Sequence, residues 1–189
     1  MDEVSPSEQM RNLGVVQVGA PILDEPARPF GLPAERDAAE RVVDHLFAFM
    51  KRIAQVHTFA KGMGIAAPQI GIARAAAVVQ PAESGASPIV LLNPRVTDVS
   101  EDSDEQYEGC LSFFDVRGQV PRPLRITVET ASVDGAAVTT VYQRGLARLV
   151  QHEIDHLAGL LYTVRMRPGV LPIHVEEYRQ TGRAWTYES

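Results

Sequence analysis

The 189-residue sequence has a single cysteine, Cys110, so no disulfide can form within the chain. The residue is therefore a small buried hydrophobe, a nucleophile or a metal ligand. Long apolar runs are missing too, because no stretch reaches the roughly 18 residues that a membrane-spanning helix needs. The opening residues Met1-Asp2-Glu3-Val4-Ser5-Pro6-Ser7 carry early acids and no apolar segment. They do not read as a secretory signal, and a cytoplasmic location is expected. Positive charge is scarce: 18 Lys and Arg stand against 24 Asp and Glu, for a net charge of −6. Duplex binding displaces counterions with clustered cations, and here the cations are dispersed, so no direct nucleic-acid contact is expected. Neither internal repeats nor low-complexity tracts occur. What is there, 45% hydrophobic and 22% charged residues, suits one soluble domain long enough to bury a core.

Residues 1–12 are polar and are expected to form a mobile extension. Leu13 to Leu23 reads as an extended segment ending near Pro21. Pro33 suits the first turn of a helix, and Glu35, Asp37 and Glu40 near its start complement the helix dipole. Val42, Val43, Leu46, Phe47, Phe49, Met50 and Ile53 recur at helical spacing and carry that helix to about Val56. A glycine-punctuated loop, Gly62 to Gly71, follows. Short strand-like runs come next at Ala75–Val79, Ile89–Asn93, Arg117–Val120, Leu124–Glu129 and Val138–Gln143. Turn residues separate most of them, which favours antiparallel hairpins. A second long helix is expected over Gly145–Leu161 and a short one over Ile173–Gln180. Helix, strands, then helix is an α+β arrangement, with antiparallel sheets packed around the later helix. The expected organisation is one catalytic domain over residues 13–166 and a tail over 167–189.

The most informative segment is Gln151-His152-Glu153-Ile154-Asp155-His156-Leu157. An HExxH pattern on a helix sets two imidazoles one turn apart and about 40° around the axis, so both can reach one metal ion. At about 100° per residue, Leu146, Leu149, Val150, Ile154, Leu157, Leu160 and Leu161 fill one arc, with Glu153 in its middle. Arg148, Gln151 and Asp155 face the other way. A carboxylate among leucines is costly unless a cation compensates it. A bound metal would do so, and partial burial would raise the acid's pKa toward the range useful for proton transfer. The plainer alternative pairs Glu153 with a buried arginine and leaves the histidines on the helix flank. Water-activating metal sites use three protein ligands and keep one position open. Cys110, within Glu108-Gly109-Cys110-Leu111-Ser112, is the natural third beside His152 and His156.

Three motifs stand in fixed order: Gly62-Met63-Gly64-Ile65-Ala66-Ala67-Pro68-Gln69, then Glu108-Gly109-Cys110-Leu111-Ser112, then Gln151-His152-Glu153-Ile154-Asp155-His156-Leu157. In this the sequence resembles the bacterial peptide deformylases over about residues 13–166. The resemblance implies a metal-dependent hydrolase that removes the formyl group from formyl-methionyl peptides of newly made proteins and releases formate. It implies one divalent metal ion held by Cys110, His152 and His156. Fe2+ is the native metal of the family, while Zn2+, Ni2+ and Co2+ suit the same ligand types. Glu153 would be the general base and acid. The Leu111 N–H and the Gln69 amide would stabilise the oxyanion. Backbone around Gly64, Ile65 and Gly109 would hold the peptide extended. A monomer with at most a transient ribosome contact is implied, although the tail carries no basic stripe for docking.

One departure from the family pattern stands out. Phe113-Phe114-Asp115 follows Ser112 where the family often has a small aliphatic residue and proline. Two aromatics here either pack in the core or reshape the substrate groove, and they leave open a paralogue acting on a formylated small molecule. A metal-binding but silent interaction protein is a third reading, but it would need neither Glu153 nor Gln69. An HExxH endopeptidase ordinarily has a His or Glu as third ligand, and Cys110 points away from it.

Overall fold

Ser5 opens the first element: its hydroxyl accepts from the Glu8 N–H at 3.3 Å, and Pro6 takes the first helical position, where no N–H is required. The computed structural model describes residues 4–182, and Pro6–Asn12 is helix α1. This departs from the mobile extension expected over residues 1–12. Met10 is fully buried in the core, and the Ser7 hydroxyl accepts from the backbone N–H groups of Phe114 (2.9 Å) and Asp115 (3.1 Å). One apolar anchor and one serine therefore tie a mostly polar segment down. Leu13–Leu23 forms no strand, though Val16 N donates to Gln69 O and Val18 N to Ser112 O, both at 2.8 Å.

Helix α2 spans Arg36–Val56. It begins three residues later than Pro33 suggests, because residues 31–36 are spent on a turn in which Gly31 O accepts from Glu35 N and Pro33 O from Arg36 N. Ala39, Val42, Leu46, Met50 and Ile53 are its buried stripe, the three- and four-residue spacing of one helix face. That stripe lies on the first of three three-stranded antiparallel sheets, made of β1 (Met63–Ala66), β2 (Ala76–Gln80) and β3 (Ile89–Leu92) in that order. Strand β2 reads as continuous apolar because both its faces are covered. Ala76 and Val78 join the α2 side of the core, whereas Ala77 and Val79 join the opposite side.

The opposite side is filled by helix α3 (Arg144–Leu157), which carries the HExxH segment. The second sheet, β4 (Arg95–Val99), β7 (Arg125–Ala131) and β8 (Ala137–Gln143) in the order β4-β7-β8, completes that layer with Ile126, Val128 and Tyr142. Helix α3 stops at Leu157 rather than continuing to Leu161. Gly159 adopts φ +74°, and a Cβ there would stand 2.7 Å from the Glu25 carbonyl carbon, so the chain turns away where only glycine fits.

The third sheet is a long hairpin of β5 (Ser103–Cys110) and β6 (Phe113–Pro123), joined at its edge by the short β9 (Ile173–His174). Its register runs from Ser103↔Pro123 to Cys110↔Phe113, with an irregularity between Glu108 and Cys110. The short helix expected near the end is α4 (Val175–Gln180), preceded by β9. Of the tail expected over 167–189, residues 183–189 lie outside the described residues. Among the described residues no helix is long and apolar enough to cross a membrane.

Candidate active site

Two residues apart on a strand share a face, so Glu108 and Cys110 both turn inward from β5, and both are buried. Helix α3 presents His152 and His156 to the same point. The two imidazole centroids lie 5.0 Å apart, and Cys110 Sγ stands 3.2 Å from His156 Nε2. One ligand atom from each of Cys110, His152 and His156 falls within 4.8 Å of the others, the three residues that the sequence nominates. Burial alone would push the Cys110 thiol up, but His156 and then His152 hold it well below its ordinary range. The same closeness raises His152, against its own burial. A buried thiolate between two imidazoles needs a cation, supplied by a proton or by a metal ion.

The donor set fits a divalent metal ion. His152 Nδ1 lies 2.9 Å from Glu108 Oε2, and this bond assigns the Nδ1 proton and leaves Nε2 as a lone pair for a ligand role. Burial opposes the charge on Glu108, but Arg122 and the His152 contact hold its carboxyl far below the usual range. Arg122 grips it with Nε to Oε1 at 2.8 Å and Nη2 to Oε2 at 2.9 Å, and Arg148 Nη1 adds a bond to Oε1 at 2.8 Å. Asp155 extends the set, accepting from Arg122 Nη1 at 2.6 Å and Arg165 Nη2 at 2.8 Å. Tyr162 stacks on His152 with centroids 6.0 Å apart. Of these residues, sequence reasoning assigned a role to none beyond His152. Arg148 and Asp155, expected on the far side of α3, are buried beneath the β5–β6 hairpin. The signal for Glu108 was available: it sits two residues before Cys110 on what proves to be a strand.

Glu153 is 2% exposed, and its Oε2 has no hydrogen-bond partner among the described residues. The plainer alternative, in which an arginine neutralises it, is not what is found, because Arg122 and Arg148 bond to Glu108, Asp155 and Asp104. Burial pushes Glu153 up to about 7, with the imidazoles opposing and Cys110 adding to the rise. Among the described residues, the other buried side-chain atoms without a partner are His156 Nδ1 and Tyr162 OH. All three belong to this cluster or to the ring stacked on it. Unsatisfied polar atoms are rare in folded proteins, and their concentration here marks a site built for something other than its own stability.

Gln69 is held in a fixed pose beside the thiolate. Its Oε1 accepts from Ala66 N at 2.9 Å, and its Nε2 donates to Ser112 Oγ at 3.1 Å and lies 3.6 Å from Cys110 Sγ. A cavity of about 250 Å³ opens over the cluster, and Gly64, Gln69, Gly109, Leu111 and Glu153 all line it. Gly64 has a steric reason to be glycine, since a Cβ there would stand 2.6 Å from Glu153 Cδ. Ile65 is the exception among the residues nominated to hold the peptide. It is fully buried in the α2-side core, with its backbone paired to Val78, and it does not line the cavity. The segment read as a glycine loop is in part strand β1, which among the described residues is an edge strand paired with β2 alone.

The chain is similar to known proteins in both sequence and fold. The sequence model of the polypeptide deformylase family matches residues 12–170. The peptide deformylase of Desulforudis audaxviator is 37% identical over 151 residues, 80% of this chain and 91% of that protein. That of Carboxydothermus hydrogenoformans is 35% identical over 148 residues, 78% of this chain and 89% of that protein. Among solved structures, the class I type b peptide deformylase of Acinetobacter baumannii bound to Met-Ala-Ser superposes with a TM-score of 0.70 at 32% identity. The match covers 88% of this chain and all of that one (100%).

Proposed function

The chain belongs to the polypeptide deformylase family and hydrolyses the formyl group from N-terminal formyl-methionine of peptides, and we propose that it does so with Cys110, His152, His156, Glu153, Gln69 and Leu111 in the roles below. The observation that carries this reading is the meeting of one thiolate and two imidazoles beside a buried carboxylate whose Oε2 has no hydrogen-bond partner among the described residues.

Cys110 Sγ and one ring nitrogen each of His152 and His156 would hold a divalent metal ion. When bound, that ion supplies Lewis acidity, making water nucleophilic near neutral pH and drawing charge toward the formyl oxygen. Glu108 keeps His152 in its ligand tautomer. Glu153 Oε2, poised near neutrality, accepts a proton from the attacking water and gives it to the departing amine nitrogen. Gln69 Nε2 and the Leu111 N–H donate to the oxygen on which charge develops. Gln69 is already held in position by its bonds to Ala66 and Ser112, so little reorganisation is needed. The peptide adds as an extended strand along the outer edge of β1, where Gly64 lets its backbone approach and Gly109 faces it across the cavity. Ile65 takes part only through its backbone.

Ferrous iron is the native ion in this reading, and the reaction belongs in the cytoplasm on newly made chains. The test is formate release from formyl-Met-Ala-Ser by anaerobically purified protein, with metal content measured on the same sample. Iron with rapid release is expected. Zinc content with full activity after long exposure to air would reject iron. An absence of formate from the metal-loaded protein would reject the assignment of roles.

A further inference from the structure

Phe113-Phe114-Asp115, the departure next to Ser112, separates in the structure into three fates. Phe113 packs against Cys110, Val120, Tyr162 and Met166. Asp115 accepts from Ser7 N at 2.9 Å and anchors α1. Phe114 lines the cavity, and it does not do so alone. Its ring stands edge-on to His57 with centroids 5.1 Å apart and is tilted against Phe59 at 6.1 Å, while His57 and Phe59 meet at 4.5 Å. All three rings line the same cavity as Cys110 and Glu153.

The wall is preformed. Phe114 N donates to Ser7 Oγ at 2.9 Å, which fixes the backbone from the α1 side. The Arg117 guanidinium carbon lies 4.8 Å from the Phe114 ring centre, and its Nη1 donates to the Phe114 and Val116 carbonyls at 2.9 and 2.8 Å. Burial first, and then Arg117, keep the His57 imidazole below its ordinary pKa, so at neutral pH the wall offers three uncharged rings. Phe114 is only 6% exposed, but His57 and Phe59 are half-buried and open to the cavity.

The cavity has two sides about the edge of β1. One comes from α3, with Leu149, His152 and Glu153, and the other is the ring wall, contributed by β6 and by the 57–62 segment leading into β1. Successive side chains of an extended peptide point to opposite faces. A substrate whose first side chain turns toward α3 therefore sets its second against the rings. We propose that the His57–Phe59–Phe114 wall is the subsite for the second residue of the peptide and gives the enzyme a preference for aromatic and large aliphatic side chains there. This rests on the deformylase reading and adds to it a selectivity that the metal cluster does not supply.

The experiment compares kcat/KM of the metal-loaded full chain on formyl-Met-Phe-Ser and formyl-Met-Ala-Ser. A well-placed aromatic pair beyond simple burial corresponds to a preference of about tenfold for the phenylalanine peptide. In His57→Ala, Phe59→Ala and the still apolar Phe114→Leu, that ratio is expected to fall toward about twofold or less. The first two changes are at half-buried positions, which guards against loss of the fold in the third. Efficient cleavage of both peptides by the unaltered enzyme without preference would overturn the subsite and leave deformylation intact. A preference that persists in all three variants would overturn it equally. Failure to release formate from either peptide would remove the deformylase reading and the subsite with it.

Discussion

Replacing Glu153 by Gln keeps the shape of the side chain and removes its titration, so its effect can be worked out as a function of pH. Burial lifts the folded-state carboxyl from its ordinary 4.5 to about 7. The folded state therefore holds a proton that the unfolded chain has released, and the wild type loses stability as pH rises from 4.5 toward 7, with the full cost present above that. One pKa unit corresponds to about 1.4 kcal/mol, so the loss between pH 5 and pH 8 is on the order of 2–3 kcal/mol for metal-free protein. Gln has no such pH dependence. Its amide nitrogen would lie where Oε2 has no partner, a pH-independent cost of about 1–3 kcal/mol. That cost cancels when the wild type-to-variant difference at pH 8 is compared with the difference at pH 5. Urea unfolding of both metal-free proteins at the two pH values measures it. The variant should gain about 2–3 kcal/mol relative to wild type on going from pH 5 to pH 8, while losing roughly 100- to 10,000-fold in formate release when metal-loaded. A relative gain below about 0.5 kcal/mol, well under the value expected from linkage, would show that burial does not raise the acid as argued. Turnover within tenfold of wild type would remove Glu153 from proton transfer.

Three other outcomes are expected. Glu108→Gln leaves His152 Nδ1 without its charged acceptor and should weaken metal binding about 10- to 100-fold in a chelator competition; a change under threefold would contradict the orienting role. Gly64→Ala forces a methyl group against Glu153 and should cost about 1–3 kcal/mol in urea unfolding and lower kcat/KM on formyl-Met-Ala-Ser at least about tenfold; wild-type values for both would mean that the close approach carries no strain. Met10→Ala empties a fully buried site in α1 and should cost about 2–5 kcal/mol, seen as a fall of at least about 4 °C in Tm; an unchanged Tm would make residues 6–12 a dispensable appendage.

What was legible in the sequence was what repeats. The apolar stripe of α2, the unbroken run of β2 and the paired imidazoles of α3 all follow from the periods of a helix or a strand, and each is found where its period puts it. What was missed depends on a partner far away in the chain. Ser103–Cys110 is acidic and poor in β-branched residues, yet it is a strand because every residue from Ser103 to Glu108 has a partner between Gly118 and Pro123. The glycines around Met63 suggest a loop, but they are needed because Glu153 and the neighbouring backbone approach a strand there. In α1 a single methionine and a serine-to-backbone contact outweigh a polar composition.

The polar side of α3 shows why the candidate ligands were easier to find than the groups that support them. Hydrophobic periodicity treats a charged residue as facing water, because an uncompensated buried charge is prohibitively costly. Arg148 and Asp155 break that rule together, and only because Glu108, Asp104, Arg122 and Arg165 arrive from three other segments with the matching charges. No property of the helix alone reports such compensation; it appears only once β5, β6 and the segment after α3 are folded against it. Such networks often add little net stability, since desolvation offsets most of the attraction. Their value here lies in orientation. Arg122 and Arg148 hold Glu108, Glu108 holds His152 Nδ1, and His152 thereby turns one nitrogen toward Cys110 and His156. The candidate metal-binding cluster can thus be read from three residues, whereas its rigidity depends on six more that no local pattern connects.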